Sequence, residues 1–272
     1  MRVCALGDLA MDVTVRTQGP LAPDADTDAE IRVSAGGQAA NVAAWASVLG
    51  ADASIVGKRG ADLAGELMRA ELERRGVRVL GPVAGTNAVV CVLVSANGHR
   101  SLIPDRGAAR DLRPTEIEPR WLEGCDHLFV SGYALFAEPA RAAALRAAAL
   151  AREEGASISI DLSSWSELEA IGATRIRETI ERLGPNVVFA NEDEERIVGR
   201  FAGATWIVKR GSRGCSFDGE ERAALPVEQV VDTTGAGDAL AAGWIVGGSD
   251  LALEAAARCV QQLGSMPGEF RA

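Results

Sequence analysis

The stretch VVDTTGAGDALAAG, residues 230–243, sets two Asp residues around a Gly-Ala-Gly turn and runs on into small apolar residues. Gly235 and Gly237 permit tight turning and leave backbone N–H groups uncovered, while DALAAGWIV has the Ala-rich character of a packed helix. The turn therefore feeds a helix N-terminus, where unpaired N–H groups and the positive end of the helix dipole favour a phosphate. Asp238 falls in the first turn of that helix. A carboxylate beside a phosphate repels it unless the acid acts on something the phosphate meets, such as a hydroxyl about to attack it. The alternative is a structural Gly-rich turn in which Asp238 only complements the dipole, so the rest of the chain has to decide.

Working outward, short apolar runs alternate with longer amphipathic or Ala-rich stretches: RVCALG, NVAAWASVLG, ASIVG, DLAGELMRAELERRG, then DHLFVSG, EPARAAALRAAALAREEG, SISIDL and NVVFANEDE. Strand–helix alternation of this kind predicts a parallel sheet covered by helices on both faces. Residues 12–34 and 86–104 break the rhythm with β-type runs separated by turn residues, ANG at 96–98 being a hairpin signal. They are expected to form a small separate sheet, placed as a lid over the carboxyl ends of the main strands, where open α/β sheets bind ligands.

Composition narrows the function classes. With 272 residues the chain suffices for one large α/β domain or two small ones, and 38 acidic against 28 basic residues give a net charge of −10 with no basic block. A surface for a nucleic-acid backbone is therefore not expected, and small ligands are. The five cysteines are scattered without a C-x-x-C pair, as in neither a disulfide framework nor a zinc site. No signal-like segment and no run of about 18 apolar residues occurs, so a cytoplasmic protein without a membrane partner is expected.

Four further stretches fall at predicted strand ends. SAGGQAANVAAW puts Gly36 and Gly37 before a helix carrying Asn41, whose amide can bond hydroxyls. GDLAMDV places Asp12 after the first strand, FANEDEE offers Asn191 and Glu194 as N-x-x-E, and VKRGSRG offers Gly211 and Gly214 in a turn. Together, in this order, they resemble the ribokinase-like (PfkB) family of carbohydrate kinases. DTTGAGD is close to that family's most specific signature, GGQAAN matches its N-terminal one, and the pattern follows the family from Met1 to about Gly264.

The resemblance implies one ribokinase-like kinase domain over 1–272, with a three-layer α/β/α core, a mostly parallel sheet and the β lid. It implies transfer of the ATP γ-phosphate to a hydroxymethyl group of a small sugar. Asp238 matches the base, and the backbone of Gly235, Ala236 and Gly237 the hole for the phosphoryl charge. Asn191 and Glu194 match a pair that orders Mg2+ and its waters, though NEDEE suits an ordinary helix start equally well. Gly211 and Gly214 match the nucleotide turn, with Lys209 or Arg210 in reach of phosphate oxygens; a plain β-hairpin turn is the alternative. Asp232 and Thr234 match positions that in many relatives serve a monovalent cation, making K+ an optional cofactor, although an Asp-Thr turn explains them too. Relatives often pair such lids across a homodimer.

Asp12, Gly36, Gly37 and Asn41 fit the family's contacts to sugar hydroxyls. Arg106 and Arg100 stand where lid and substrate loop should meet, so either could bind a carboxylate or phosphate; a solvated surface role is the commoner expectation for an Arg in a polar loop. Ser163 and Ser164 replace the Asn and Arg that 2-keto-3-deoxygluconate kinases show after Asp161. A nucleoside kinase would need flat walls, for which Trp45, Tyr133, Phe136 and Trp165 are available. A neutral pentose or hexose is the expected acceptor, with acid-sugar and nucleoside kinases as alternatives. From another class comes a silent sugar- or nucleotide-binding regulator, against which the intact GAGD turn argues. A dinucleotide oxidoreductase is disfavoured because ALGDLAMD, not G-x-G-x-x-G, follows the first strand.

Overall fold

The computed structural model of the chain describes residues 1–94 and 100–268. In chain order its elements run β1 (Arg2–Leu6), β2 (Ala10–Thr17), β3 (Ala29–Gly36), α1 (Gln38–Val48), β4 (Asp52–Val56), α2 (Leu63–Arg74), β5 (Arg78–Leu80), β6 (Ala88–Val94) and β7 (Arg100–Asp105). They continue with β8 (His127–Ser131), α3 (Ala140–Glu153), β9 (Ser157–Asp161), α4 (Trp165–Ile171), α5 (Ala173–Leu183), β10 (Val187–Asn191), α6 (Glu192–Val198), β11 (Thr205–Lys209), β12 (Cys215–Phe217), β13 (Glu220–Arg222) and α7 (Ala236–Cys259).

A nine-stranded sheet has the order β13-β12-β11-β10-β9-β8-β1-β4-β5. It is parallel from β11 to β5, and β12 and β13 add an antiparallel edge. Successive residues of β1 part to opposite faces: Val3 and Ala5 pack with α1, α2 and α7, whereas Cys4 and Leu6 pack with α3, α5 and α6. Three layers result, α/β/α, as the alternation of apolar runs predicts. Helix α1 is buried almost all round, from Ala39 to Ala46, because its small residues let it lie between the sheet and α7. Each fully buried Phe, Leu or Ile contributes roughly 1.5–3 kcal/mol, against about 0–1 kcal/mol for a surface ion pair. Residues such as Phe129, Phe189 and Leu128, all 0% exposed, therefore hold the layers together rather than the Arg–Glu pairs on the helix surfaces.

Strands β2, β3, β6 and β7 form a second sheet of order β3-β2-β6-β7. The β-type segments of the sequence, 12–34 and 86–104, thus correspond to strands spanning Ala10–Gly36 and Ala88–Asp105, joined by a parallel β2–β6 pairing. The ANG hairpin signal at 96–98 and the Arg100 side chain lie outside the described residues. The hairpin expected near CSF and DGEE is β12–β13, with Asp218 at φ 53° and Gly219 at φ 98° in its turn. The Gly211–Arg213 turn is a separate 3-10 segment before it, so the two readings of that stretch apply to adjacent pieces of chain.

Candidate active site

The carboxyl ends of the parallel strands converge. Asp8 follows β1, Ser131 ends β8, Asp161 ends β9, Asn191 ends β10 and Lys209 ends β11. The α7 N-terminus faces the same place. Gly235 caps α7 at φ 79°, ψ −2°, a left-handed conformation, and a Cβ there would lie 2.6 Å from Ser265 Cα. A Cβ on Gly237 would stand 3.3 Å from Lys209 Nζ. The N–H groups of Gly235 and Gly237 have no hydrogen-bond partner among the described residues. Glycine is thus required at 235, a side chain at 237 would press on Lys209, and the bare donors lie beside an ammonium group.

Asp238 is held from one side. Asn41 Nδ2 donates to its Oδ2 at 2.7 Å, Ser265 Oγ donates to Asn41 Oδ1 at 3.0 Å, and Trp45 Nε1 donates to the Ser265 carbonyl at 2.9 Å. Asn41, expected to bond sugar hydroxyls, spends its carbonyl oxygen and one amide hydrogen on this chain and so acts first on the orientation of Asp238. Burial pushes the Asp238 carboxyl up to about 7, with the Asn41 bond and Lys209 opposing, and the charges of Asp161 and Asp8 adding to the rise.

Lys209 lies between acids. Its Nζ donates to Asp161 Oδ2 at 2.5 Å, and Asp161 itself is buried, its Oδ1 accepting from Ser163 N at 3.1 Å. Ser163, at φ 70°, also donates its hydroxyl to Gln38 Oε1 at 2.7 Å. Burial disfavours the Lys209 ammonium, but Asp161 and Glu194 outweigh that and hold it above its ordinary value.

Glu194 is 2% exposed, and burial raises its carboxyl although Lys209 opposes the rise. Asn191 Oδ1 accepts from Glu194 N at 2.9 Å while Glu194 Oε2 accepts from Asn191 N at 2.8 Å. This reciprocal capping box starts α6 and leaves Glu194 Oε1 and the Asn191 amide unspent on each other. Both readings of N-x-x-E therefore coexist: a helix start that also aims a buried carboxylate towards Lys209. Asp232 Oδ1 accepts from Thr234 N at 2.9 Å and Thr234 Oγ1 at 2.7 Å, and its Oδ2 accepts from Gly264 N at 3.1 Å. That is the Asp-Thr turn, tied in addition to the chain near the C-terminus.

On the acceptor side, a Cβ on Gly36 would collide with the Asp12 carboxylate, and one on Gly37 (φ 95°) would lie 2.6 Å from the Asp8 carbonyl. Close approach explains both glycines. Burial, with the Asp8 charge adding to it, pushes Asp12 up to about 7. Asp8 adds to the rise of both Asp12 and Asp238, so the three carboxylates lie within electrostatic reach of one another. Beside Asp8 a cavity is lined by Arg106, Arg110, Tyr133, Phe136 and Glu167, among others.

Arg106 departs from the solvated role expected of it. Its side chain is 15% exposed, its Cζ stands 3.9 Å from the centre of the Tyr133 ring, and Nη1 lies 3.7 Å from Asp8 Oδ2. Lys58 is engaged elsewhere, with Glu116 Oε1 at 2.8 Å and the Asp111 carbonyl at 3.2 Å, and Arg59 pairs with Glu66 at 2.7 Å. Trp45 is core and Trp165 is 49% exposed. Asp8, Arg110 and Ser265 were not singled out by the sequence, and Asp161 only as the residue two positions before Ser163. A signal existed for Asp8, which follows the first apolar run, whereas Asp12, expected just after the first strand, lies inside β2; none exists for Ser265, whose LGSMPG surroundings are unremarked.

Comparison with known proteins gives the family and the fold. The sequence model of the pfkB family carbohydrate kinases matches residues 1–266. An ATP-dependent ribose-1-phosphate kinase from Halopiger xanaduensis is 35% identical over 95% of this chain and 90% of its own. Fructokinase-1 of Oryza sativa subsp. japonica is 31% identical over 75% of this chain and 70% of its own. A candidate ribokinase II from Escherichia coli, solved with ATP and Mg2+, superimposes with a TM-score of 0.82 at 22% identity, over 97% of this chain and 94% of that one. Among the described residues no helix is long and apolar enough to cross a membrane.

Proposed function

The chain belongs to the pfkB family of carbohydrate kinases, and from that premise we propose that Asp238 deprotonates a hydroxymethyl group of a small sugar as its oxygen attacks the γ-phosphorus of ATP. The observation that carries this is the placement of one carboxylate, fixed by Asn41 at 2.7 Å, beside the unpaired N–H groups of Gly235 and Gly237. The new O–P bond forms as the bond from the γ-phosphorus to the bridging oxygen breaks; the proton goes to Asp238 and ADP leaves. Donors already in place at the α7 N-terminus, with the Lys209 ammonium, stabilise the charge on the equatorial oxygens without reorganising. Asp12 and the backbone of Gly36 and Gly37 orient the sugar, and the Gly211–Gly214 turn with the Asn191 amide takes the nucleotide.

The donor set fits Mg2+ held largely by phosphate and water. Glu194 is a buried carboxylate with one oxygen free of the capping box, and no group of three His, Cys, Asp or Glu side chains among the described residues could chelate an ion directly. Bound there, the ion would neutralise phosphate charge. For K+ the fit is poorer, since Asp232 already accepts three hydrogen bonds, and no step is derived through it.

We read the whole chain as one kinase domain whose four-stranded sheet closes on the sugar. Register places Val13, Val15, Ile31, Val33, Cys91, Leu93 and Ile103 on one face of that sheet. Ile31, Val33 and Ile103 are 61%, 55% and 55% exposed, which supports a homodimer paired through the lids. The activity is tested by acceptor-dependent ADP release. Asp238→Asn is expected to lower kcat at least about 10²-fold with ATP affinity retained; near-normal turnover would refute the assignment, and acceptor binding without ADP release would favour the silent regulator.

A further inference from the structure

We propose that the cavity beside Asp8 is a subsite for an anionic substituent, phosphate or carboxylate, on the acceptor sugar, bound by Arg106 together with Arg110. The proposal rests on the kinase reading above and adds the substrate class to it.

Arg106 is the decisive residue. Its guanidinium is nearly buried against Tyr133, and its approach to Asp8 at 3.7 Å is an ion pair too long for a hydrogen bond. The N–H fork is thus compensated in charge but unspent in hydrogen bonds on that carboxylate. The seat over the Tyr133 ring, 3.9 Å from its centre, restrains the guanidinium, and such preorganisation favours bidentate binding of a carboxylate or phosphate. Arg110, one turn further along, is exposed and lines the same cavity.

The charge of the surrounding cleft makes these cations necessary for an anionic ligand. Asp8 and Glu167 line the cavity itself, Asp8 acts in turn on Asp12 and Asp238, and Lys209 is committed to Asp161 and the phosphoryl side. A phosphate or carboxylate entering from the sugar side would be repelled unless met by its own cations, and Arg106 and Arg110 stand where it would enter. A neutral polyol needs only the acceptors and amides near Asp12 and makes no use of the Arg106 N–H groups that the long approach to Asp8 leaves without a hydrogen bond to it.

A nucleobase fits the same walls badly. The Tyr133 face that turns to Arg106 is already covered by it, and Phe136 meets the Tyr133 ring edge-on, 5.6 Å away at 82°. These two rings form a corner rather than a slot for a flat base. The cavity lining does not include the Gly235–Gly237 turn, so the anionic group would occupy the end of the sugar remote from the attacked hydroxymethyl.

The test compares ribose, ribose-1-phosphate, 2-keto-3-deoxygluconate and adenosine as acceptors at saturating Mg-ATP, in wild type, Arg106→Met and Arg106→Lys. One anionic sugar should exceed ribose and adenosine at least about tenfold in kcat/KM, and Arg106→Met should collapse that ratio, with Arg106→Lys between. The phosphosugar and acid-sugar arms distinguish phosphate from carboxylate. Calorimetric binding of the preferred sugar to wild type and Arg106→Met gives the same comparison without turnover. Ribose or adenosine ranking first in wild type, or an unchanged ratio in Arg106→Met, overturns the subsite while leaving the kinase reading intact. Anion binding that needs Arg106, with no acceptor-dependent ADP release, upholds the subsite and overturns the kinase reading.

Discussion

At the scale of single residues, the proposed base, Asp238, is a carboxyl whose environment lifts it into the neutral range. Burial raises Asp238 to about 7, and Asn41 is the hydrogen-bonding partner that pulls it back. A base works deprotonated, so log kcat/KM should fall as pH drops through about 7, and removing Asn41 should move the limb to higher pH. Asp12 lies at about 7 as well, which makes the wild-type limb a joint property of both groups. Asn41→Ala separates them, because Asn41 donates to Asp238. A pH–rate profile of that variant superimposing on wild type would mean that Asp238 does not set the limb. Ser265→Ala should shift the limb in the same direction and less, since it loosens Asn41 without touching the carboxylate.

At the scale of elements, the strand–helix alternation, the α7 turn and the β character of the lid segments were all legible, because each is written in local periodicity or in a glycine that its backbone requires. Contacts between distant parts of the chain were not. Nothing near Arg106 announces that it will stack on Tyr133, nothing in LGSMPG that Ser265 will bond Asn41 across 224 positions, and Lys209 gives no sign of its pairing with Asp161. The four-stranded sheet is the clearest case: its two segments are visible separately, and the parallel pairing of β2 with β6 that makes them one sheet is not. That pairing carries a prediction. If the sheet closes as a unit, amide exchange in 10–36 and 88–94 should slow together when sugar and nucleotide bind, whereas two loosely coupled hairpins would respond separately. Protection confined to one segment would break the idea of a single lid.

At the scale of the whole molecule, the four-stranded sheet proposed as a lid leaves an apolar face uncovered. Its apolar face continues from Met11 and Ala35, which pack into the core, out to Val33, Ile31 and Ile103, which stand more than half exposed. Left in water, that face forfeits roughly 1.5–3 kcal/mol for each large side chain it could bury, and a standard interface needs about 800 Å² from each partner. A second lid supplies a matching apolar surface by symmetry. The net charge of −10 opposes association only weakly once salt screens it, so the apolar term should prevail. Light scattering should give twice the chain mass of 28.4 kDa at micromolar concentration, and Ile31→Glu with Val33→Glu should give the monomer with unchanged circular dichroism. A wild-type monomer under those conditions would show that the face serves some other contact, and a dimer that survives both glutamates would place the interface elsewhere on the molecule.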